Sequence, residues 1–430
     1  PIASLNPVQK SKTLSKLFDG SQVAYWKSKN AESQSLIVDF KTRREFGGVY
    51  IDWTANESAK SFEILLSNDL ITWEKVCSVR ENLNDKSIIR LPEAEAKYLK
   101  LNLIQSNSKK RFAIDEIKFL NFKESQTLNK FFIYNAHNVD KGNYPRYFLE
   151  QASFFTISGV NNDTKEAMIN TDGMVEVDKA AFSLEPMLMM DNSLYNWANV
   201  ASTQNMGDST ETSQFKFIPN VQWNLKDLTF KTEITSGGIA NTDSHLYIKY
   251  TFENLSLQNK NFDFLLLVRP FQVNPYYQDL NLIGGVGKIN NIQQVDSQTV
   301  QVDDKWVFSE MPFQMLSTYT ALEGDVVALI KNQKLNARKA INDATGLATG
   351  VLKYALQIKP KEKLTFYIKV PYHPQGQSAG DQENLAGEFN QSVDFWNDKI
   401  DHIKFNLPSS ADRIINTYKS NLVYILTNRD

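Results

Sequence analysis

Apolar residues recur at every second position through most of the chain. Phe62, Ile64 and Leu66 alternate with Glu63 and Leu65 before the polar run Ser67-Asn68-Asp69, and Leu99, Leu101 and Leu103 alternate with Lys100 and Asn102. Trp73 and a short apolar run to Val79 follow the first of these, and Ile114, Ile117 and Phe119 follow the second. Short strands of period two broken by polar turns predict an antiparallel β-sandwich over about the first 122 residues.

The same period continues on a larger scale. Ala167-Met168-Ile169 and the pair Val175, Val177 flank Asp172-Gly173 and predict a hairpin. Leu246, Ile248, Tyr250 and Phe252 alternate with His245, Tyr247, Lys249 and Thr251, as do Leu364, Phe366, Ile368 and Val370 with their neighbours. Phe264 to Val268 is apolar throughout, which predicts a strand covered on both faces. One large two-sheet sandwich accounts for these strands.

After Tyr372-His373-Pro374 the period changes. Leu385, Phe389, Val393, Trp396, Ile400 and Ile403 stand three or four apart and predict a helix beginning near Asp381. Ser409 and Asp412 form a capping-box-like pair ahead of a second apolar stripe, Ile414, Ile415, Tyr418, Leu422 and Ile425. That stripe needs a cover: a further helical region, or the sandwich if the helix folds back on it.

Composition narrows the function only a little. The chain has 430 residues, enough for two or three domains. Its 47 basic and 49 acidic residues are interspersed, so no basic stripe addresses a nucleic acid. There is no apolar run long enough for a membrane span. Cys77 is the single cysteine, which excludes an intramolecular disulfide and a cysteine metal site. Aromatics reach 12%, and either a sandwich core or a sugar-stacking surface explains them.

Residues in the first segment carry a resemblance. The order Asp19-Gly20, Tyr25-Trp26, Val38-Asp39-Phe40, Phe62-Glu63-Ile64, Ser67-Asn68-Asp69 with Trp73, Tyr98-Leu99-Lys100-Leu101 and Asp115-Glu116-Ile117 resembles the discoidin (coagulation-factor type C) domain. The resemblance implies a jelly-roll sandwich that in bacteria often binds carbohydrate. Trp26, Trp53 and Trp73 offer rings to a sugar, but core packing is the commoner use of tryptophan, and we expect it for Trp26 and Trp73. The glycan-binding candidates are loop residues: Tyr25, Arg43, Arg44, Asn56 and Arg111. Related modules often hold a structural calcium near positions matching Asp19 and Glu116; a turn capped by Asp19 is the equal alternative. No other cofactor is expected.

A second resemblance covers most of the following region. Gly142-Asn143-Tyr144-Pro145-Arg146, Phe182-Ser183-Leu184-Glu185-Pro186, Trp197-Ala198, Val221-Gln222-Trp223 and Val268-Arg269-Pro270-Phe271-Gln272-Val273-Asn274-Pro275 resemble the N-terminal supersandwich of large bacterial proteins. Those proteins continue into a helical α/α-barrel glycosidase domain similar to glucoamylase. The resemblance implies a mainly β chain: a discoidin-like sandwich over 1–125, an antiparallel supersandwich over 126–377, and helices over 378–430 leading to a missing helical domain. Arg269, Gln272 and Asn274 are the candidate interface with that domain; the alternative is that Arg269 and Asn274 tie down an irregular loop between prolines.

No catalytic constellation stands out. A glycosidase needs two carboxylates around the scissile bond, and no spacing singles out a pair. His137, His245, His373 and His402 lack ligand spacing and are expected at surfaces or turns, and Gly284-Gly285-Val286-Gly287-Lys288 is a glycine turn. The two resemblances imply the non-catalytic part of a secreted bacterial glycoside hydrolase, periplasmic or at the cell surface, that binds an oligo- or polysaccharide. The alternative is a stand-alone glycan-binding or surface-assembly protein.

Overall fold

The computed structural model describes residues 2–6, 14–18, 20, 26–208, 216–280, 282–373 and 384–428. The chain forms two compact units, one of residues 1–144 with 319–335 and one of residues 145–318 with 336–430. The first therefore takes in a segment from far along the chain, and runs past the boundary near 125 expected from the sequence.

Among its described residues the first unit holds seven strands: β1 (Ile2–Asn6), β2 (Trp26–Lys27), β3 (Gln34–Trp53), β4 (Ala59–Ser67), β5 (Glu74–Val79), β6 (Lys86–Ser106) and β7 (Ala113–Leu120). They run in the order β2-β7-β3-β6-β4-β5, with β1 on β3. β3 and β6 are 20 and 21 residues long, and each serves two layers. The first part of β3, to Asp39, lies between β1 and the end of β6; its last part, Gly48 to Trp53, lies between β7 and the start of β6. Register shifts between Asp39 and Arg44 and between Phe46 and Gly48 mark where the pair folds over. Leu36, Val38, Val49, Ile51, Ile64, Leu101 and Ile117 fill the space between the layers. Trp26 is core, as expected, and so is Trp53, whose indole N–H donates to Ser87 Oγ at 2.9 Å.

Two helices follow, α1 (Phe122–Ser125) and α2 (Leu128–Asn138), each started by a side-chain cap, Asn121 and Thr127 respectively. Arg90 fastens the junction by donating to the carbonyls of Ser125 and Gln126. The distant segment of this unit carries α3 (Val326–Lys331). It is held by Leu83 N–H to the Glu323 carbonyl (3.2 Å), Asn84 to the Asp325 carbonyl (2.9 Å) and Asn143 to the Asp325 carboxylate (2.6 Å). Gly324 sits here with φ of 118°, and a Cβ would lie 2.3 Å from Asn84 Nδ2, so only glycine fits without movement.

Among the described residues of the second unit, two antiparallel sheets of eight and nine strands share one core. The eight-stranded sheet includes β8 (Phe155–Gly159), β9 (Glu166–Asn170), β10 (Val175–Glu176) and β11 (Ser183–Met190), with the strand Lys260–Arg269 beyond β11. The apolar run from Phe264 to Val268 is buried as expected, in a strand flanked by β11 and the strand Thr349–Ile358. Rings from both sheets interlock: Phe230 stacks on Phe252 at 4.8 Å, and Tyr250 meets Phe264 and Tyr354 meets Phe366, each at 5.1 Å. The aromatic content thus goes largely into packing. His245 is buried on the strand Asp243–Asn254 rather than exposed, and His373 reaches Asp163 at 3.0 Å.

The helical tail has two parts. α4 (Leu385–Asp401) buries Leu385, Phe389, Val393, Trp396 and Ile400, and folds back on the nine-stranded sheet. A Cβ on Gly237 would stand 2.0 Å from Ser392 Oγ, which shows how closely helix and strand approach. α5 (Asp412–Thr427) is preceded by a 3-10 turn, Ser409–Ala411, and has no side-chain cap. The capping box expected of Ser409 and Asp412 is not formed, because Asp412 is already the first residue of the helix. The expected start of α4 near Asp381 lies outside the described residues.

Candidate functional site

The fold-over of β3 and β6 gives the first sandwich two unlike ends. The folded end carries residues 40–47 and 91–97 and the turn after β4. The open end carries the connections 28–33, 54–58, 80–85 and 107–112. Arg43 and Arg44 stand at the folded end, exposed, with Arg43 Nε donating to Asn68 Oδ1 at 3.1 Å. Asn56 and Arg111 stand at the open end, roughly 25 Å away at about 3.3 Å per residue along β3. The structure therefore brings Asn56 and Arg111 together and leaves Arg43 and Arg44 elsewhere. Tyr25 lies outside the described residues.

At the open end the chain makes a tight turn closed by Glu57 N–H to the Thr54 carbonyl at 2.9 Å, with Asn56 exposed at φ 62°. The turn is tied to the start of β7 by Ala113 N–H to the Glu57 carbonyl (3.0 Å) and Thr54 Oγ1 to Asp115 (2.6 Å). Arg111 then pairs with the Glu57 carboxylate at 3.1 Å, both side chains partly open to solvent. Lys109 and Lys110 are exposed beside it. A planar guanidinium, a carboxylate and an amide at one edge present both donors and acceptors, the chemistry that reads paired hydroxyls. The neighbouring connection at Leu83 and Asn84 is covered by the segment that holds Gly324, so the usable surface is the 54–58 and 107–112 side.

Trp73 corrects the expectation of a core role. It is half-buried on the outer face of the sheet, its indole N–H donates to the Leu70 carbonyl (3.2 Å), and the Lys100 ammonium lies 3.8 Å over its ring. Glu116 is buried on β7 opposite Asp52, whose carboxyl burial pushes above its ordinary range. Asp19 lies outside the described residues. Among the described residues no group of three or more His, Cys, Asp or Glu side chains is placed to hold a metal ion.

Residues 2–117 match the family model of the F5/8 type C domain. This segment is an F5/8 type C domain. Solved structures similar to it include chitosan-binding module 1 of a chitosanase/glucanase from Paenibacillus sp. IK-5, at 20% identity and a TM-score of 0.26, over 28% of this chain and 93% of that one. Another is the family 32 carbohydrate-binding module of Streptococcus pneumoniae EndoD, at 18% identity and a TM-score of 0.26, over 28% of this chain and 97% of that one. No curated protein matches the chain.

Beyond the F5/8 type C domain, the predicted interface residues are buried. Arg269 is 2% exposed and makes a two-pronged pair with Glu185, with Nε to Oε1 at 2.9 Å, while Ser183 Oγ donates to the same Oε1. Its guanidinium also lies 4.9 Å over the Phe271 ring. The Tyr147 hydroxyl donates towards the carbonyls of Gln272 and Gly285, and Gly285 N–H donates to the Asn274 carbonyl. A Cβ on Gly284 would lie 2.4 Å from the Asn274 carbonyl oxygen, so the glycine turn exists to let two backbones meet. The Arg269 guanidinium is thus engaged with the Glu185 side chain inside the unit. Gln272 and Asn274 do reach a cavity, together with Glu176, which pure sequence reading passed over. Its burial is visible in no periodicity, since β10 is only two residues long.

Proposed function

We propose that the F5/8 type C domain is a glycan-binding module whose site is the open-end surface of Asn56, Glu57 and Arg111. The observation that carries this reading is the Arg111–Glu57 pair, which joins two loops and fixes a donor and an acceptor beside the Asn56 turn. A family in which loops vary on a fixed sandwich supports it. Binding would place the rest of the protein on a polysaccharide outside the cytoplasm. Titration of the whole chain with an oligosaccharide panel tests it: Arg111→Ala and Asn56→Ala weaken binding, whereas Arg43→Ala leaves it unchanged.

A second part of the proposal concerns α5. Ile414, Tyr418 and Ile425 are 71%, 47% and 64% exposed and follow helical spacing along one side. Leu407 and Phe405 extend the patch, with Phe405 meeting Tyr418 at 5.3 Å. A continuous apolar stripe of this kind supports packing against a further helical domain, and a glycoside hydrolase domain is the reading the resemblance favours. The stand-alone glycan-binding protein is the alternative reading. The double variant Ile414→Glu, Ile425→Glu leaves the melting temperature unchanged if α5 folds without them, and abolishes capture of such a domain.

A further inference from the structure

We infer that the glycan taken at the open end is an acidic one, whose carboxylate or sulfate groups are met by Lys29, Lys109 and Lys110. The inference rests on the glycan reading above and deepens it by naming the charge of the ligand.

The chain is close to neutral, with 47 basic and 49 acidic residues, yet charge is sorted within the first unit. Segments 27–33 and 107–112 meet at the open end. Ser28 N–H donates to the Phe112 carbonyl at 2.9 Å, and Phe112 N–H donates to Ser28 Oγ at 2.8 Å. Together the two segments carry Lys27, Lys29, Lys109, Lys110 and Arg111 against a single carboxylate, Glu32. Glu57 answers Arg111 from the facing turn, and Asp115 accepts from the Thr54 hydroxyl. Lys29, Lys109 and Lys110 are exposed, and no described carboxylate pairs with any of them. The folded end differs. There Lys41 pairs with Asp39 at 3.0 Å, and Glu45, Glu93 and Glu95 stand among Arg43, Arg44 and Lys97.

The backbone that carries Lys109 and Lys110 is fixed in advance. Asn107 N–H donates to the Ser58 carbonyl (2.9 Å), and its Nδ2 donates to Ser58 Oγ (2.9 Å) and the Asn82 carbonyl (3.0 Å). Ser106 Oγ donates to the Arg111 carbonyl at 2.7 Å, and Lys110 N–H donates to Ser108 Oγ at 3.1 Å. Only side chains have to be ordered when a ligand arrives, which keeps the cost of binding low. Charges without a partner in the protein gain from an anion, are indifferent to a neutral sugar and repel a cation. An ammonium is a compact point charge and takes a carboxylate or a sulfate alike. Asn56 and Asn107, both exposed, add amides for the hydroxyls that distinguish a glycan from other polyanions.

The test is isothermal titration of the whole chain with two acidic ligands, oligogalacturonate for carboxylates and carrageenan oligosaccharides for sulfates. Their methyl-esterified and desulfated counterparts keep the backbone without the charge, and an oligothymidylate serves as a polyanion without sugar-chain hydroxyls. At least one acidic glycan is expected to bind more tightly than its neutral counterpart, and to weaken as NaCl rises from about 0.05 to about 0.5 M. The double variant Lys109→Gln, Lys110→Gln is expected to weaken binding about tenfold with an unchanged melting temperature, since both residues are exposed. Arg43→Gln, Arg44→Gln removes as much charge at the other end, beyond the roughly 10 Å reach of screened charges, and is expected to leave binding unchanged. Neutral counterparts bound as tightly as the acidic glycans would overturn the inference and leave the glycan reading standing. Equal losses in the two double variants, or oligothymidylate bound as tightly as the glycans, would overturn it as well. Binding of no glycan at all would sink both.

Discussion

Replacing Arg269 by alanine separates a framework role from an interface role most sharply. In the folded unit the guanidinium and the Glu185 carboxylate are 2% and 5% exposed, so neither has solvent to fall back on. Removing the arginine leaves Glu185 with one hydroxyl donor, from Ser183 Oγ at 2.8 Å. A buried ion pair broken from one side costs about 3–5 kcal/mol, most of it the penalty of the charge left behind. Lost packing over Phe271 adds to this. The double variant Arg269→Met, Glu185→Leu, which leaves no charge, should recover most of the loss. Urea denaturation of the second unit, followed by tryptophan fluorescence, reads both. A loss below about 1 kcal/mol for Arg269→Ala would refute the reasoning, because it would mean that the pair is solvated and free to serve elsewhere.

Other consequences are as direct. Gly324→Ala should lower the stability of the first unit by about 1–3 kcal/mol and raise hydrogen exchange in α3, since its φ of 118° and the 2.3 Å approach to Asn84 both oppose a side chain. Trp53→Ala should cost about 3–5 kcal/mol in thermal unfolding, while Trp73→Ala, on the outer face, should cost about 1 kcal/mol or less. Burial raises the carboxyl of Glu176, which gives a pH dependence: between its ordinary value of 4.5 and about 8 the folded state keeps a proton that the unfolded state releases. Stability of the second unit should therefore fall across that window, by up to roughly tenfold per pH unit in the folding equilibrium, and level off above it. Glu176→Gln should flatten the slope in urea titrations from about pH 5 to about pH 8.

What the sequence made legible was what depends on near neighbours. The alternations Leu99 to Leu103 and Leu246 to Phe252 became strands with those residues inward. The Asp172-Gly173 turn joins β9 to β10 with Gly173 at φ 82°. The spacing from Leu385 to Ile400 gave α4. α2 was missed although Leu128, Phe131, Phe132 and Ala136 carry helical spacing behind the Thr127 cap; the surrounding strand pattern masked a short helix. Other features depend on partners far away in sequence. Arg269 finds Glu185 across 84 residues, and Asn84 finds Asp325 across 241, and no local pattern names such partners. At the candidate site, Asn56 and Arg111 were identified by residue type and loop position, but their union through Glu57 needed the fold. The same fold-over of β3 removed Arg43 and Arg44 to the other end.

The central claim is that the open end of the F5/8 type C domain binds glycan through Arg111 and its neighbours. Isothermal titration of the whole chain with an oligosaccharide found by array, repeated on Arg111→Ala, tests it most directly. Arg111 and Glu57 are partly exposed, so the variant should stay folded. The account predicts binding by the natural chain and a loss of about tenfold or more in the variant. Equal affinity in the two, or an array without a single binder to the folded protein, would contradict it.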